Sequence, residues 1–481
     1  MGACSGKQHR RGNHHHIRTR HHYYEDKLVL DTLQALRECR EQDVPDSFKL
    51  ISYLAEEGKT GYPLWDAKTL LKLIEMLDLS TDVTNSSIME KCGRSDVSPT
   101  TDIFRNVAIV IGLLAARFPG VMSTSMFTEG VQDFLLSNLD PSRHKSLILY
   151  SLIALEKFAL ASGNKEKLLT TDIAQRIKVL EESFSDAIDP IHKQIHFCSQ
   201  WLLDNIFLID GRPFSFEICD TSKVNVMLNS GDANGHFKIS SDGLKARCDS
   251  VLFESVRSTY CLYSGVWFYE VTVLTEGVMQ IGWATKDSKF LNDEGLGVGD
   301  DEFSFGYDGC RQLLWHNAES CRHAHKRWTP GDVVGLLLDL NKGKIYFYLN
   351  GVKCSETFRT KKQGFYAAAS LMEMQQAEFN FGSKPFKFKP QGIKFECMNS
   401  WAYLSEEEKR ILPKPFKKDI VLETTFDSNC CAICYDQEAS VELLPCRHRD
   451  LCMKCAMQCE VCPMCRSVIS SRQPITKYTL V

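Results

Sequence analysis

Seven cysteines and one histidine of the 481-residue sequence stand at spacings that suit metal coordination. Their order is Cys431-x2-Cys434-x11-Cys446-x-His448-x3-Cys452-x2-Cys455-x6-Cys462-x2-Cys465. A Cys-x2-Cys pair places two sulfur atoms within reach of one ion, and eight ligands are enough for two tetrahedral zinc sites. Protein atoms would fill all four positions at each ion and leave none for a catalytic water. We therefore expect two structural Zn²⁺ ions.

The other cysteines give no sign of a disulfide framework. Nine of the 20 cysteines lie between Cys430 and Cys465, and the rest are scattered at irregular spacing. This usage predicts a reducing compartment, and hence a cytoplasmic rather than a secreted protein. Cys430 and Cys459 fall outside the register of eight ligands. Cys430 could replace its neighbour Cys431 at the metal, but the x2 spacing favours Cys431.

The complete register resembles that of RING-type zinc fingers, within a segment that we place at residues 430–467. The resemblance implies a cross-brace, in which Cys431, Cys434, Cys452 and Cys455 hold one zinc ion while Cys446, His448, Cys462 and Cys465 hold the other. It also implies a RING-type E3 ubiquitin ligase, which brings a ubiquitin-charged conjugating enzyme (E2) to its target. Such ligases form no covalent intermediate with ubiquitin. They accelerate transfer by positioning and by electrostatic preorganisation of the thioester.

Individual residues match the surface with which RING domains bind an E2. Ile433 lies inside the first Cys pair and Pro463 inside the last pair, where the family carries apolar contact residues. Arg466 matches the catalytic linchpin position, since its planar fork of donors can bridge two surfaces at once. Cys459 stands where active RING domains often have Leu or Trp. Cysteine is a small hydrophobe, so this predicted E2 contact has a reduced area.

The elements that must carry this module begin with a helical region over residues 26–207. Leu70, Leu73, Ile74 and Leu77 repeat at helical spacing. The segments 103–118 and 147–161 are apolar nearly all round, which is typical of buried helices. Several helices separated by short Pro/Gly breaks predict an all-α, armadillo-like region. Such a region would act either as a protein-binding groove or as a scaffold for the next domain.

Near residue 210 the pattern changes to strands, and no helical pattern interrupts the next 170 residues or so. Residues 267–273 and 278–284 are rich in aromatic and β-branched types, and Asn350-Gly351 is typical of a tight hairpin. Residues 367–371 and 377–381 predict a further hairpin. An antiparallel β-sandwich follows from this reading.

Five strings within this region resemble a B30.2/SPRY domain, a binding module for partner proteins, which we place at residues 213–388. They are SGVWFYEVTV, MQIGWATKD, FSFGYDGCRQLLWH, PGDVVGLLLDLNKGKIYFYLNG and AAASLMEMQQAEFNFG. The resemblance implies that loops between strands recruit a protein substrate, with Tyr307, Asp308, Trp315 and His316 as candidate contacts. Trp267, Trp283 and Phe381 are expected in the core instead.

A linker with one short helix is predicted over residues 389–427, because Ser405-Glu-Glu-Glu408 is a capping-box pattern. Residues 468–481 read as a C-terminal tail. Residues 1–25 read as a disordered basic tail, since residues 1–24 hold no acidic side chain. Gly2 and Cys4 allow an alternative in which lipidation and the basic run place residues 1–24 on a membrane surface. Gly6 stands where the usual lipidation pattern has Ser or Thr.

Composition constrains the possible partners. The chain has 43% hydrophobic and 25% charged residues, which is ordinary for globular domains, and a net charge of −4. No global positive field points to nucleic acid.

The order of regions is similar to the RING finger and SPRY domain-containing protein family. The main function expected is therefore an E3 ligase whose SPRY domain selects the substrate. The alternative is a non-catalytic scaffold or adaptor. Retention of Ile433, Pro463 and Arg466 together favours the ligase, since a purely structural RING does not require that set. A cysteine-transfer ligase using Cys430 or Cys459 would need further domains around its reactive cysteine.

Overall fold

The computed structural model describes residues 100–117, 120–233, 236–250, 252–416, 439–463 and 467–475. These residues form two compact units: those up to Ile173 together with those from Thr425 onward, and those from Ala174 to Thr424. The predicted basic tail and the first part of the predicted helical region lie outside the described residues. No helix in the described ranges is long and apolar enough to cross a bilayer.

The helices of the first unit confirm the predicted helical region. Helices α1 and α4 pack closely at Gly112 and Ala154. The absence of a side chain at Gly112 permits this approach, since a Cβ atom there would lie only 3.0 Å from the Ala154 Cα atom. The Asn164 side chain donates to Ser123 Oγ and thereby joins α5 to α2. The armadillo-like arrangement stays a prediction. The helices are α1 (Thr100–Arg117), α2 (Val121–Met126), α3 (Glu129–Ser137), α4 (Lys145–Phe158) and α5 (Ser162–Leu169).

Three helices precede the strands: α6 (Ile173–Ser183), α7 (Pro190–Asn205) and α8 (Ser215–Ile218). Asp189 caps the start of α7, since its side chain accepts a hydrogen bond from the Ile191 amide. Within the second unit α7 packs on the strands, since the Lys193 ammonium lies 2.6 Å from the Glu378 carboxylate.

A buried cluster of charges connects α6 to α7. The Arg212 guanidinium donates to Glu181 on α6 and to Asp204 on α7, the latter at 2.8 Å. The Arg212 side chain is only 8% exposed. A guanidinium can satisfy two carboxylates at once through its fork of donors, so the three charges stabilise one another in a site with little water.

The predicted antiparallel sandwich is confirmed. One sheet has the order β1-β2-β14-β4-β9-β10-β11, with β12 also paired to β10, and the other has the order β3-β13-β5-β6-β7-β8. The strands of the first sheet are β1 (Phe237–Ile239), β2 (Lys245–Cys248), β4 (Val266–Val273), β9 (Val333–Asp339), β10 (Lys344–Leu349), β11 (Val352–Lys353), β12 (Phe358–Arg359) and β14 (Gln376–Asn380). Those of the second are β3 (Glu254–Arg257), β5 (Gln280–Thr285), β6 (Ser304–Asp308), β7 (Leu313–His316), β8 (Glu319–Arg322) and β13 (Phe365–Leu371).

One predicted hairpin is present and another is wrong. Leu349 pairs with Val352 across Asn350-Gly351, and both turn residues have positive φ, as a two-residue hairpin requires. Strands β13 and β14, predicted to pair, lie in different sheets. Each finds its partners among strands far away in sequence, so the connection between them crosses from one layer to the other.

The core between the sheets contains Trp267, Trp283 and Phe381, as predicted. Met398 and Leu404 belong to the same core. The backbone of Glu396 pairs with that of Trp267 in an isolated β-bridge. The predicted linker of 389–427 therefore begins too early, because its first residues bury apolar side chains on the sandwich. The capping-box hydrogen bonds of Ser405 and Glu408 do form, but they close a turn rather than a helix.

The C-terminal described residues form a small sheet in the order β16-β15-β17 beside one short helix. Its elements are β15 (Val441–Leu444), β16 (His448–Leu451), α9 (Met453–Gln458) and β17 (Ser471–Pro474). The predicted tail of 468–481 is thus corrected for its first residues: β17 pairs with β15 along its full length. Backbone pairing of this kind leaves no strong mark in a polar sequence such as Ser-Arg-Gln-Pro.

Candidate metal centre

One group of candidate zinc ligands converges at the end of β15. Strand β15 turns back into β16 through Arg447, whose φ is positive, and this turn presents Cys446 and His448 on the same side. One donor atom each from Cys446, His448 and Cys462 lies within 4.8 Å of the others. These are three of the four ligands assigned to the second zinc site. The fourth, Cys465, lies outside the described residues.

A second group forms at the start of α9. Cys452 is the N-cap residue, and its sulfur accepts a hydrogen bond from the Cys455 amide at 3.4 Å. The thiolate is the form of cysteine that binds metal. Both cysteines are buried. Their expected partners Cys431 and Cys434 lie outside the described residues, as does Cys430.

The donor set of the described residues fits zinc. Thiolate sulfur and imidazole nitrogen are the ligands that Zn²⁺ takes in closed tetrahedral sites. When bound, each ion would fasten segments that a small apolar core alone holds weakly. That core consists of Val441, Leu443, Leu451, Cys452, Cys455, Ala456, Cys462 and Ile469. The residues therefore suit a structural role for the metal.

Two of the four candidate E2-binding residues lie within the described residues. Pro463 follows the buried Cys462 and is exposed. Cys459 ends α9 and packs in part against the small core, so only part of its side chain is left for a partner. Ile433 and the predicted linchpin Arg466 lie outside the described residues.

Three further residues bear on this surface, although sequence reasoning did not single them out. Val461 and Val468, which precede and follow Pro463 in the chain, pair through an antiparallel β-bridge of their backbones, and both side chains are exposed. Arg472 on β17 donates to the carbonyl oxygens of Ala456 and Cys459 and so closes the end of α9. A basic residue opposite a helix C-terminus is favourable, but only the pairing of β17 brings Arg472 there.

The structure corrects two of the four candidate substrate contacts in the sandwich. Tyr307 and Asp308 lie on β6 rather than in a loop, and both are fully buried. Burial raises the pKa of the Asp308 carboxyl, while Arg311 beside it acts in the opposite direction. Strand β6 lies between β5 and β7, and all five of its residues are buried, so neither of its faces is open to a partner.

The other two candidate contacts lie on β7 and are half-buried. His316 stacks on Phe305 with ring centroids 3.9 Å apart, so its ring is mainly a packing element. Trp315 has the Arg311 guanidinium over its ring at 5.0 Å. A half-exposed tryptophan with a cation on its face suits protein recognition better than the three other candidates.

Comparison with known proteins identifies both modules. The family model described as SPRY domain matches residues 266–384. The model described as zinc finger, C3HC4 type (RING finger), matches residues 427–472. The chain carries a SPRY domain and a RING finger. This is the pair of modules expected from the sequence motifs.

A curated relative, E3 ubiquitin-protein ligase RKP of Arabidopsis thaliana, is 40% identical over 147 residues. The match covers 30% of this chain and only 11% of the relative. Two solved structures are also similar. The SPRY domain of human HERC1 has 15% identity and a TM-score of 0.28, with 32% of this chain and 96% of that one covered. The TRIM65 PSpry domain has 21% identity and a TM-score of 0.28, with 32% and 89% covered.

Proposed function

We propose that this protein is a RING-type E3 ubiquitin ligase whose SPRY domain recruits the protein substrate. The observation that carries the proposal is the convergence of Cys446, His448 and Cys462 beside an exposed Pro463. This arrangement combines a zinc-binding scaffold with an apolar residue left free to bind a partner. The partial likeness to a named E3 ligase agrees with it.

The proposed E2 surface is centred on Pro463. Val461 and Val468 are 44% and 56% exposed and would enlarge the apolar area around it. Ile433 and Cys459 complete the contact in our proposal. Apolar residues that are exposed next to one another on a small domain are typical of an interaction site.

The proposed chemistry needs no nucleophile from this chain. A substrate lysine attacks the thioester carbonyl that joins ubiquitin to the E2, and the E2 cysteine leaves as a thiolate. Arg466 donates hydrogen bonds to the E2 and to ubiquitin together, so the thioester is held in one reactive pose. The two zinc ions supply structural rigidity, and the residues around them hold the E2 surface in place.

The test is autoubiquitination by the full chain with purified E1 and a panel of E2 enzymes. We expect chains with at least one E2, and a loss of at least tenfold for Arg466→Ala and for Pro463→Ala. The matched control is Arg449→Ala, because Arg449 is an exposed arginine of the same domain whose ion-pair partner among the described residues is Glu442. Absence of chains with every E2 would favour the alternative, a non-catalytic SPRY/RING scaffold or adaptor.

Substrate recruitment by the SPRY domain is a separate part of the proposal. Its support is the family of the domain and the half-exposed Trp315 beneath Arg311. In a proximity-labelling experiment in cells, the Trp315→Ala variant should fail to label specific partners that the unaltered protein labels. Trp401→Ala is the matched control, since Trp401 is an exposed tryptophan of the same unit, at 62%. An unchanged partner set with Trp315→Ala would contradict the assignment of this surface.

We also propose that the protein acts in the cytoplasm, with contact to membranes through residues 1–24. Gly2 and Cys4, which lie outside the described residues, would carry the lipid groups. Fractionation of a Gly2→Ala variant tests this. The variant should leave the membrane fraction, and its retention there would exclude an anchor at Gly2.

A further inference from the structure

A second cluster of metal-binding side chains lies in the sandwich, away from the RING. His323 and His325 follow β8 on an extended segment, and both are buried while Ala324 between them is exposed. Cys354 follows β11 and is 2% exposed. One ring nitrogen of each histidine and the Cys354 sulfur lie within 4.8 Å of one another. Two separate connections between strands thus bring three soft or borderline donors together.

The hydrogen bonds of the two histidines leave one nitrogen of each ring available. His323 Nε2 lies 3.3 Å from the Asp308 carbonyl oxygen, and His325 Nδ1 lies 3.1 Å from the Tyr307 hydroxyl. Among the described residues, neither His323 Nδ1 nor His325 Nε2 has a hydrogen-bond partner, and both atoms are buried. Histidines that bind metal are held in this way, with the second ring nitrogen bonded to a carbonyl or another polar group.

Aromatic packing explains the position of the rings but not the two nitrogens. Tyr307 stacks on His323 at 4.6 Å and contacts Trp328 at 5.8 Å. Such packing would hold two phenylalanines equally well. A buried polar atom without a partner is unfavourable, and a metal ion that accepts the two lone pairs would satisfy both nitrogens.

A carboxylate stands beside the cluster. Glu356 Oε2 lies 3.1 Å from the Cys354 sulfur, and Glu356 is half-exposed. A thiolate and a carboxylate would together neutralise a divalent cation, while two neutral imidazoles complete a tetrahedral set. Burial lowers the pKa of both histidines, and the Lys353 and Val352 carbonyls, which lie near the His325 ring, act in the opposite direction on His325.

We propose that His323, His325, Cys354 and Glu356 bind one Zn²⁺ ion in the SPRY domain. Donors in a tetrahedral zinc site lie about 3.3–3.8 Å apart, so binding requires the three buried donors to approach by up to about 1.5 Å and the half-exposed Glu356 carboxylate to turn toward the histidine nitrogens. Cys354 loses its thiol proton to solvent on binding, as zinc ligation of cysteine requires. The ion fastens the segment after β8 to the segment after β11. Tyr307 and Asp308 hold the histidine rings in place.

Zinc content of the purified full chain tests the proposal, after dialysis against a weak chelator. We expect three Zn²⁺ per chain, two from the RING and one from the sandwich. Cys354→Ser should reduce the count to two. The matched control is Cys248→Ser, which alters another buried thiol of the same core and should keep three. A count of two for the unaltered chain would overturn the proposal, and this measurement needs no variant.

Two further arms separate the site from other sources of zinc. Replacing Cys446 and Cys455 with serine should leave one ion, and Co²⁺ bound there should show the weaker sulfur charge-transfer band of a single thiolate. Residues 1–24 hold six histidines. If glutamine at those six positions removes the third ion, the proposal is wrong. Glu356→Gln, at a half-exposed position that does not threaten folding, should weaken zinc affinity at least tenfold, and unchanged affinity would exclude Glu356 as a ligand.

Discussion

Arg472 joins the last strand of the RING to the end of its helix, and Arg472→Met removes that connection while keeping most of the side-chain length. The guanidinium donates to the Ala456 carbonyl at 2.8 Å and also to the Cys459 carbonyl. Hydrogen bonds from a charged donor contribute about 1.5–3 kcal/mol each, and partial exposure of Arg472 reduces the sum. We therefore expect a loss of about 2 kcal/mol in the local stability of the RING.

Zinc release to a chromophoric chelator measures this loss in the full chain. If release is limited by local opening of the RING, about 2 kcal/mol corresponds to release roughly 30-fold faster. Discharge of ubiquitin from the E2 should also slow, because Arg472 holds the backbone of Cys459 in the proposed E2 surface.

Arg449→Met is the matched control for this prediction. Arg449 lies on β16 of the same sheet, and its side chain is 61% exposed and pairs with Glu442 at 2.9 Å. An exposed pair of this kind contributes at most about 1 kcal/mol, so release should change by less than about fivefold. Equal release rates for Arg472→Met and the unaltered protein would refute the reasoning. So would an equal acceleration in both variants.

Three other substitutions, one of them with a control, test the sandwich and its helices. Burial raises the pKa of Glu373 to about 7. The charged form is thus disfavoured in the folded state and stability falls as pH rises from about 4.3 to 7. Glu373→Gln should raise the melting temperature at pH 8 and not at pH 4, whereas an equal gain at both would contradict this. Arg212→Met leaves two carboxylates unpaired in a buried site and should cost about 3–5 kcal/mol in urea unfolding. Lys178→Met, which breaks an exposed pair of α6, should cost less than about 1 kcal/mol. Gly282→Ala would place a Cβ atom 1.8 Å from the Phe305 carbonyl oxygen and should abolish soluble expression, so a stable variant would show that β5 and β6 can separate there.

Local features of this protein could be predicted from the sequence because the residues that decide them are close together in the chain. The Asn350-Gly351 hairpin depends on the positive φ of two adjacent residues. The candidate zinc ligands Cys446, His448 and Cys462 could be grouped because the register of eight resembles that of RING domains, in which the ligand pairs interleave, and the structure brings these three together. Aromatic and β-branched content likewise identified the strands β4 and β5.

Partners that are distant in the chain were decided only by the tertiary structure. β14 follows closely after β13 in the chain, yet β13 pairs with β3 and β14 with β4, each more than a hundred residues away, so they belong to opposite layers. Tyr307 and Asp308 read as loop residues because nothing local shows that β5 and β7 cover both edges of β6.

The two candidate metal centres differ in how far their ligands could be predicted from the sequence, because one set is close together in the chain and the other is not. In the RING the ligands follow one another in a short register, and the sequence determined most of that set by itself. In the sandwich, His323 and Cys354 are 31 positions apart and match no ligand spacing. Only the folding of two strand connections against Tyr307 brings their donor atoms within 4.8 Å. The ligand register of the first centre can therefore be recognised in the sequence, whereas the packing of one sheet on the other brings the donors of the second together.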